Sequence, residues 1–190
     1  MDLLDHLRTS ARANRLANLR LATVLAPLSD ADFHAPRVGF FPSLAQTLNH
    51  ILAVDIYYIA GLHGEADMRA QIDGFVDCRA LAEWALRQAA SDERLIAFCD
   101  ALDAAGIDKD VAMDRGDHVD HNGAGRVLAH LFMHQTHHRG QVHAMLSSTR
   151  IAPPQFDEFL LPADARFRRV EMAKLGWSEA QLMGAEAQAA

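Results

Sequence analysis

Apolar residues recur every three or four positions over four long stretches of the chain, which is the spacing of helices with a buried face. Glycine and proline residues cluster between these stretches, where they would end helices. The second stretch begins at Ser43, which with Gln46 forms an S-x-x-Q pattern typical of a helix N-terminus. The pattern predicts long helices over residues 3–26, 43–61, 79–102 and 126–148.

The segment between the third and fourth predicted helices is short, polar and rich in turn residues. It predicts two extended pieces, 111–113 and 118–120, joined near Arg115 and Gly116. The fold class we expect is all-α: a four-helix bundle with a short irregular or hairpin insertion before the last bundle helix and a short helical C-terminal tail that includes residues 163–175. Residues 1–160 would form the bundle, and residues 161–190 a helical extension packed on the bundle or in a dimer.

Composition narrows the functional class. A chain of 190 residues suits one domain, and a net charge of −7 disfavours nucleic acid as a partner, since nucleic-acid-binding surfaces are usually basic. The first residues lack the apolar core of a signal peptide, and no apolar run approaches the roughly 18 residues of a membrane span. We therefore expect a cytoplasmic protein with no membrane or nucleic-acid partner.

Histidine is the residue type that points to chemistry, with 11 in the chain. His134 and His138 lie one turn apart on the same face of the predicted fourth helix, so both rings could reach one metal ion. His130 and Gln141 lie within about 40° of His134 around the helix. By the same geometry, Arg139 is expected on the far, solvent-facing side.

A third ligand would have to come from another helix. His50 lies in the otherwise apolar second helix, where an unpaired imidazole would be costly to bury. Three imidazoles from two helices would leave a position open for water or substrate, as in catalytic metal sites. The alternative is a metal-free polar core in which these histidines are only hydrogen-bonded. Asp55 lies about 140° from His50 around its helix, so it is expected to pair with another helix.

Three separate motifs resemble the DinB superfamily, the DinB/YfiT-like metalloproteins. HQTHHRGQ, residues 134–141, resembles that family's last bundle helix; ARANRLANLRL, residues 11–21, resembles its first helix; and TLNHILAVDIYY, residues 47–58, resembles its second. The resemblance implies a four-helix bundle, a frequent homodimer and one divalent metal ion bound by His50, His134 and His138. It also implies relatives that are thiol-dependent transferases and isomerases, and so a low-molecular-weight thiol as a cofactor.

Such a site predicts a metal-dependent transferase or hydrolase that activates a thiol or water against a small electrophile. Zinc or nickel is the expected metal, and iron is also compatible with imidazole ligands. Metalloproteases place a glutamate after the first histidine of H-E-x-x-H, but this chain has Gln135 there, which disfavours peptide hydrolysis. His137 and His130 are the candidate catalytic residues for proton transfer. The alternative function is a non-catalytic, metal-binding, stress-related dimeric bundle.

Overall fold

The computed structural model describes residues 1–184, and this part of the chain is mostly helical with one small two-stranded sheet. Four of its helices are long, and they coincide with the four predicted stretches to within a few residues at each end. The expected hairpin and the short C-terminal helices are also present. The elements are α1 (Leu3–Leu25), α2 (Asp30–His34), α3 (Leu44–Leu62), α4 (Met68–Asp73), α5 (Leu81–Ala101), β1 (Asp110–Asp114), β2 (Val119–Gly123), α6 (Ala124–Leu146), α7 (Arg169–Leu175) and α8 (Glu179–Met183).

Local side-chain chemistry sets where the helices begin. The Asp2 carboxylate accepts a hydrogen bond from the backbone N–H of Asp5 at the start of α1, and the Ser43 hydroxyl accepts one from Gln46 at the start of α3. Each bond satisfies a backbone donor that the first turn of a helix leaves free. The Ser43 cap fixes the first turn of the helix that carries His50.

The long helices pack around a shared apolar interior. α1 lies against α5, α3 lies against both α5 and α6, and α1 and α6 are in more limited contact. Fully buried residues such as Leu48, Trp84 and Leu131 fill the space between these helices. The pairing of α3 with α6 places the turn that carries His50 beside the turns that carry His134 and His138.

Seven buried polar side chains cross this interior and contact all four long helices. Asp92 accepts hydrogen bonds from three amides, and Asp55 accepts from Gln88 and Gln135, so Asp55 pairs with other helices as predicted. The members of this interior polar network are Asn14 and Asn18 of α1, Asp55 of α3, Gln88 and Asp92 of α5, and Gln135 and Arg139 of α6.

Arg139 corrects the sequence prediction, which placed it toward solvent. It is only 7% exposed, and its Nη1 donates to the side-chain oxygens of Asn14 and Asn18. The prediction was wrong because α6 has two different inner faces. One face carries the histidines, and the other carries Arg139, which bonds to Asn14 and Asn18 of α1. Gln135 also points inward, where it bonds to Asp55 of α3.

The hairpin of β1 and β2 is antiparallel, with Asp110 paired to Gly123 and Asp114 paired to Val119. It packs on the C-terminal end of α3 at Gly61, where a Cβ atom would lie 2.5 Å from the Met113 sulfur. The absence of a side chain at Gly61 therefore permits this close approach. The approach brings the hairpin turn, with Arg115, over Tyr58 of α3.

The chain after α6 returns across α1. Phe159, Met172 and Leu182 pack with Leu16 and Ala17 of α1 in a separate apolar cluster. The predicted extension 161–190 includes residues 185–190, which lie outside the described residues. Within residues 1–184, no helix combines the length and apolar character needed to cross a membrane.

Candidate metal centre

The two long helices α3 and α6 bring three histidines to one point. His134 and His138 stand one turn apart on α6, and His50 faces them from α3. One ring nitrogen of each histidine lies within 4.8 Å of those of the other two. The group contains the three residues that the sequence singled out, and its ligand atoms could converge on one ion.

The rings are arranged as neighbours around a common centre. The Nε2 atoms of His50 and His134 are 3.1 Å apart. The ring centroids of His134 and His138 are 4.3 Å apart, and those of His50 and His138 are 4.6 Å apart. The Nδ1 of His134 is buried without a hydrogen-bond partner among the described residues. Burying an unpartnered imidazole nitrogen is unfavourable, and coordination of the ring by a cation would offset that cost.

Burial keeps these imidazoles neutral. Desolvation, and then the neighbouring His138, lower the pKa of His50 to about 4. Desolvation and the charges of the neighbouring histidines lower the pKa of His134 to about 3. The pKa of His138 is also lowered, first by burial. Neutral rings at pH 7 have free lone pairs, which is the protonation state that a metal ligand requires. The donor set fits a borderline divalent metal such as zinc or nickel.

Gln141 orients the third ring. Its Oε1 lies 2.8 Å from Nδ1 of His138, and its Nε2 lies 3.1 Å from Nε2 of His137. In the arrangement that satisfies both contacts, His138 donates from Nδ1, which leaves its Nε2 free for a metal, and Gln141 donates to His137. Helix geometry predicted Gln141 on the same side of α6 as His134. The structure places it in hydrogen-bond contact with the histidine cluster.

Phe41 covers one side of the cluster. Its ring lies 4.4 Å from that of His50 and 5.8 Å from that of His138. It comes from the loop between α2 and α3, which also leaves Phe40 81% exposed. Sequence analysis missed Phe41 because loop residues have no periodicity from which a facing direction can be inferred. The only local signal is its position two residues before the Ser43 cap.

The two candidate catalytic histidines lie at the edges of the cluster. His130 is exposed, with its ring 6.4 Å from that of His134 and 5.1 Å from that of Tyr58. His137 is exposed and reaches the cluster through Gln141. Neither belongs to the group of three converging nitrogens.

Comparison with known proteins adds one match. The family model described as the DinB family matches residues 3–170 of the chain. The search of curated proteins found no match to the chain. The matched range contains all three clustered histidines, Gln141 and the whole hairpin.

Proposed function

The chain belongs to the DinB family, and on that premise we propose that it is a metal-dependent enzyme whose single divalent ion is bound by His50, His134 and His138. The observation that carries this proposal is the convergence of three neutral ring nitrogens within 4.8 Å of one another. We propose zinc or nickel as the metal, with iron also compatible with imidazole ligands.

A bound divalent ion with an open position supplies Lewis acidity and lowers the pKa of a coordinated water or thiol. Each of the three imidazole ligands is neutral, so they would leave the positive charge of the ion uncompensated. Gln141 fixes the orientation of His138, and Phe41 limits the access of water from its side of the cluster. His137 and His130 are the groups we propose to accept or return a proton at the edge of the site.

The reaction we propose is attack of an activated thiol or water on a small electrophilic substrate, with a low-molecular-weight thiol as the candidate cofactor. The candidate metal group consists of histidines alone. Gln135, which replaces the metalloprotease glutamate, is fully buried and donates to Asp55 instead of facing the histidines. A nucleophile that the metal activates directly needs no carboxylate base, and this favours the proposed chemistry over peptide hydrolysis.

The remaining proposals concern the whole molecule. We propose that α1, α3, α5 and α6 form a four-helix bundle within residues 1–160, with residues 161–190 as an extension. We also propose a homodimer in the cytoplasm. The free, buried thiols of Cys78 and Cys99 are compatible with a reducing compartment.

The test measures metal content and turnover on the same preparations. Protein purified without a histidine tag is expected to contain one divalent ion per chain, and a His134→Ala variant is expected to lose it. His143→Ala, on another face of the same helix, is the matched control and should retain the metal. A panel of thiols with electrophilic substrates should then react faster with the loaded wild type than with His134→Ala.

Two results would contradict parts of the proposal. Metal content equal in wild type and His134→Ala would remove the histidine cluster as the site. Stoichiometric metal without acceleration of any thiol or hydrolytic reaction would instead favour the alternative, a non-catalytic, stress-related metal-binding dimer.

A further inference from the structure

A groove of about 860 Å³ lies between α1 and α6, on a different face of α6 from the three clustered histidines. Its volume is within the range of small-molecule pockets. Most of the lining side chains are apolar, including Leu7 of α1, Phe132 and Met133 of α6, and Phe159 of the following segment. Met133 is 67% exposed at its edge, so the groove opens to solvent.

One wall of the groove is a segment of the chain that two buried arginines hold in place. Residues 156–160 form this wall, and Arg20 of α1 donates to the backbone oxygen of Gln155 and to the Glu158 carboxylate. The Arg20 guanidinium also lies 4.5 Å from the centre of the Phe159 ring. Arg168, with a fully buried side chain, donates to the backbone oxygens of Glu158 and Leu161. The groove is therefore fixed by buried arginines on both sides of its wall.

Arg139 lies at the inner side of this groove. Only 7% of its surface is exposed, yet it lines the groove together with Asn14. Its Nη1 donates to Asn14 and Asn18, and these are the hydrogen bonds that Arg139 makes to the described residues, so Nε and Nη2 have no acceptor among them. A guanidinium remains charged in proteins, so unused donors in an apolar setting favour an anionic acceptor.

The charges around Arg139 do not already occupy these donors. Asp55 and Asp92 approach it from the interior, but the hydrogen bonds that they accept come from the side-chain amides of Gln88, Gln135, Asn14 and Asn18. At the rim the groove has His6, His137 and Asp157. Among the described residues that line it, Arg139 is the one permanent cation.

We propose that this groove binds an apolar monocarboxylate, with the hydrocarbon part against Leu7, Phe132 and Phe159 and the carboxylate on Arg139. The planar guanidinium matches the two oxygens of a carboxylate, and the apolar walls match an alkyl chain. This groove shares His137 with the proposed metal chemistry but contains none of the three clustered histidines, and binding in it does not require the metal.

The test titrates full-length protein with octanoate and 1-octanol, which share a chain length but differ in the carboxylate, and follows binding by calorimetry. Octanoate is expected to bind saturably at one site, and octanol about tenfold or more weakly, because it lacks the charge-assisted bonds. The titrations are repeated after chelation of metal and with His134→Ala. Unchanged octanoate binding in both would separate this groove from the metal site.

Two kinds of variant locate the site. Ala129→Trp places an indole in the groove from an exposed position on α6 and should abolish octanoate binding, whereas Ala90→Trp, on the exposed side of α5, should not. Arg139→Met should reduce octanoate binding to the octanol level. If Arg139→Met does not fold, two other comparisons still test the proposal: octanoate binding by Ala129→Trp against Ala90→Trp, and octanoate against octanol on the wild-type protein. The proposal is overturned by equal affinity for octanoate and octanol, by no saturable binding, by retained binding in Ala129→Trp, or by binding that disappears when metal is removed.

Discussion

Gln135 donates a hydrogen bond from Nε2 to Oδ1 of Asp55, over 2.9 Å, and so joins α6 to α3 one residue away from His134. Both side chains are fully buried. The bond holds together the two helices that carry the three clustered histidines. It also shows why an amide occupies this position, since a carboxylate there would face the Asp55 carboxylate in a dry environment.

We expect Gln135→Glu to destabilise the protein even though it creates an H-E-x-x-H pattern. It would bury a second carboxyl group against Asp55. Either the two carboxylates repel each other or one of them must take up a proton, and we expect the cost to be about 2–5 kcal/mol. Urea unfolding at pH 7 measures the change in the free energy of unfolding. Thr136→Glu, at the exposed neighbouring position, is the control and should change it by about 0.5 kcal/mol or less. Equal stability of the two variants would contradict the assigned hydrogen bond.

Gln141→Leu is expected to weaken metal binding without removing a ligand. The substitution leaves Nδ1 of His138 without its acceptor, so the ring loses its fixed orientation. Loss of such an orienting group typically lowers metal affinity by about 10–100-fold. Competition with a chromophoric zinc chelator measures the affinity. Gln141→Glu keeps an acceptor for His138 and should bind zinc at least as tightly as wild type; a loss equal to that of the leucine variant would show that orientation is not the cause.

Metal-free protein is expected to lose stability in acid because of the histidine cluster. The pKa values of His50 and His134 are lowered to about 4 and about 3 in the folded state, from 6.5. The unfolded chain therefore binds more protons below pH 6.5, and the free energy of unfolding falls as the pH drops from 6.5 toward 4. Urea titrations across this range, in the presence of a chelator, measure the fall. His134→Gln should flatten it, and an identical slope in that variant would argue against a buried neutral ring at this position.

The buried acid Asp92 is expected to make the protein less stable as the pH rises, which is the opposite of the histidine effect. Burial and the nearby Asp55 raise its pKa from 3.8 to about 8, so folding favours the protonated acid. Stability from this group is complete below pH 3.8 and is lost as the pH rises toward 8. Asp92→Asn imitates the protonated acid and should gain stability relative to wild type with rising pH, by at most about 1.4 kcal/mol per pH unit. Asp100→Asn, at an exposed ion pair with Arg12, is the control and should show no such gain between pH 5 and pH 8.

The sequence predicted the long helices and the histidine cluster for related reasons. Regular spacing of apolar residues defines a helix and its inner face, and it places His134 and His138 together through one turn of backbone. His50 could be added because a histidine is conspicuous in an apolar run. These inferences need only local geometry and the general cost of burying polar groups.

The same reasoning could not find the burial of Arg139. Its partners, Asn14 and Asn18, lie more than 100 positions away in the sequence, and Asn14 is bonded in turn to Asp92 of a third helix. A rule that places charged residues outside fails when several helices jointly supply the compensating groups. Phe41 was missed for a simpler reason, since its contact with His50 depends on how a loop folds back.

In the interior polar network, the burial of each of the seven side chains depends on the positions of the others. A helix that slid by one turn relative to its neighbours would leave Arg139 or Asp55 facing hydrocarbon, so each alternative alignment carries an electrostatic penalty. We therefore expect a substitution of Asn14 or Asn18 to destabilise the packing of α1 unless Asp92 of α5 or Arg139 of α6 changes with it.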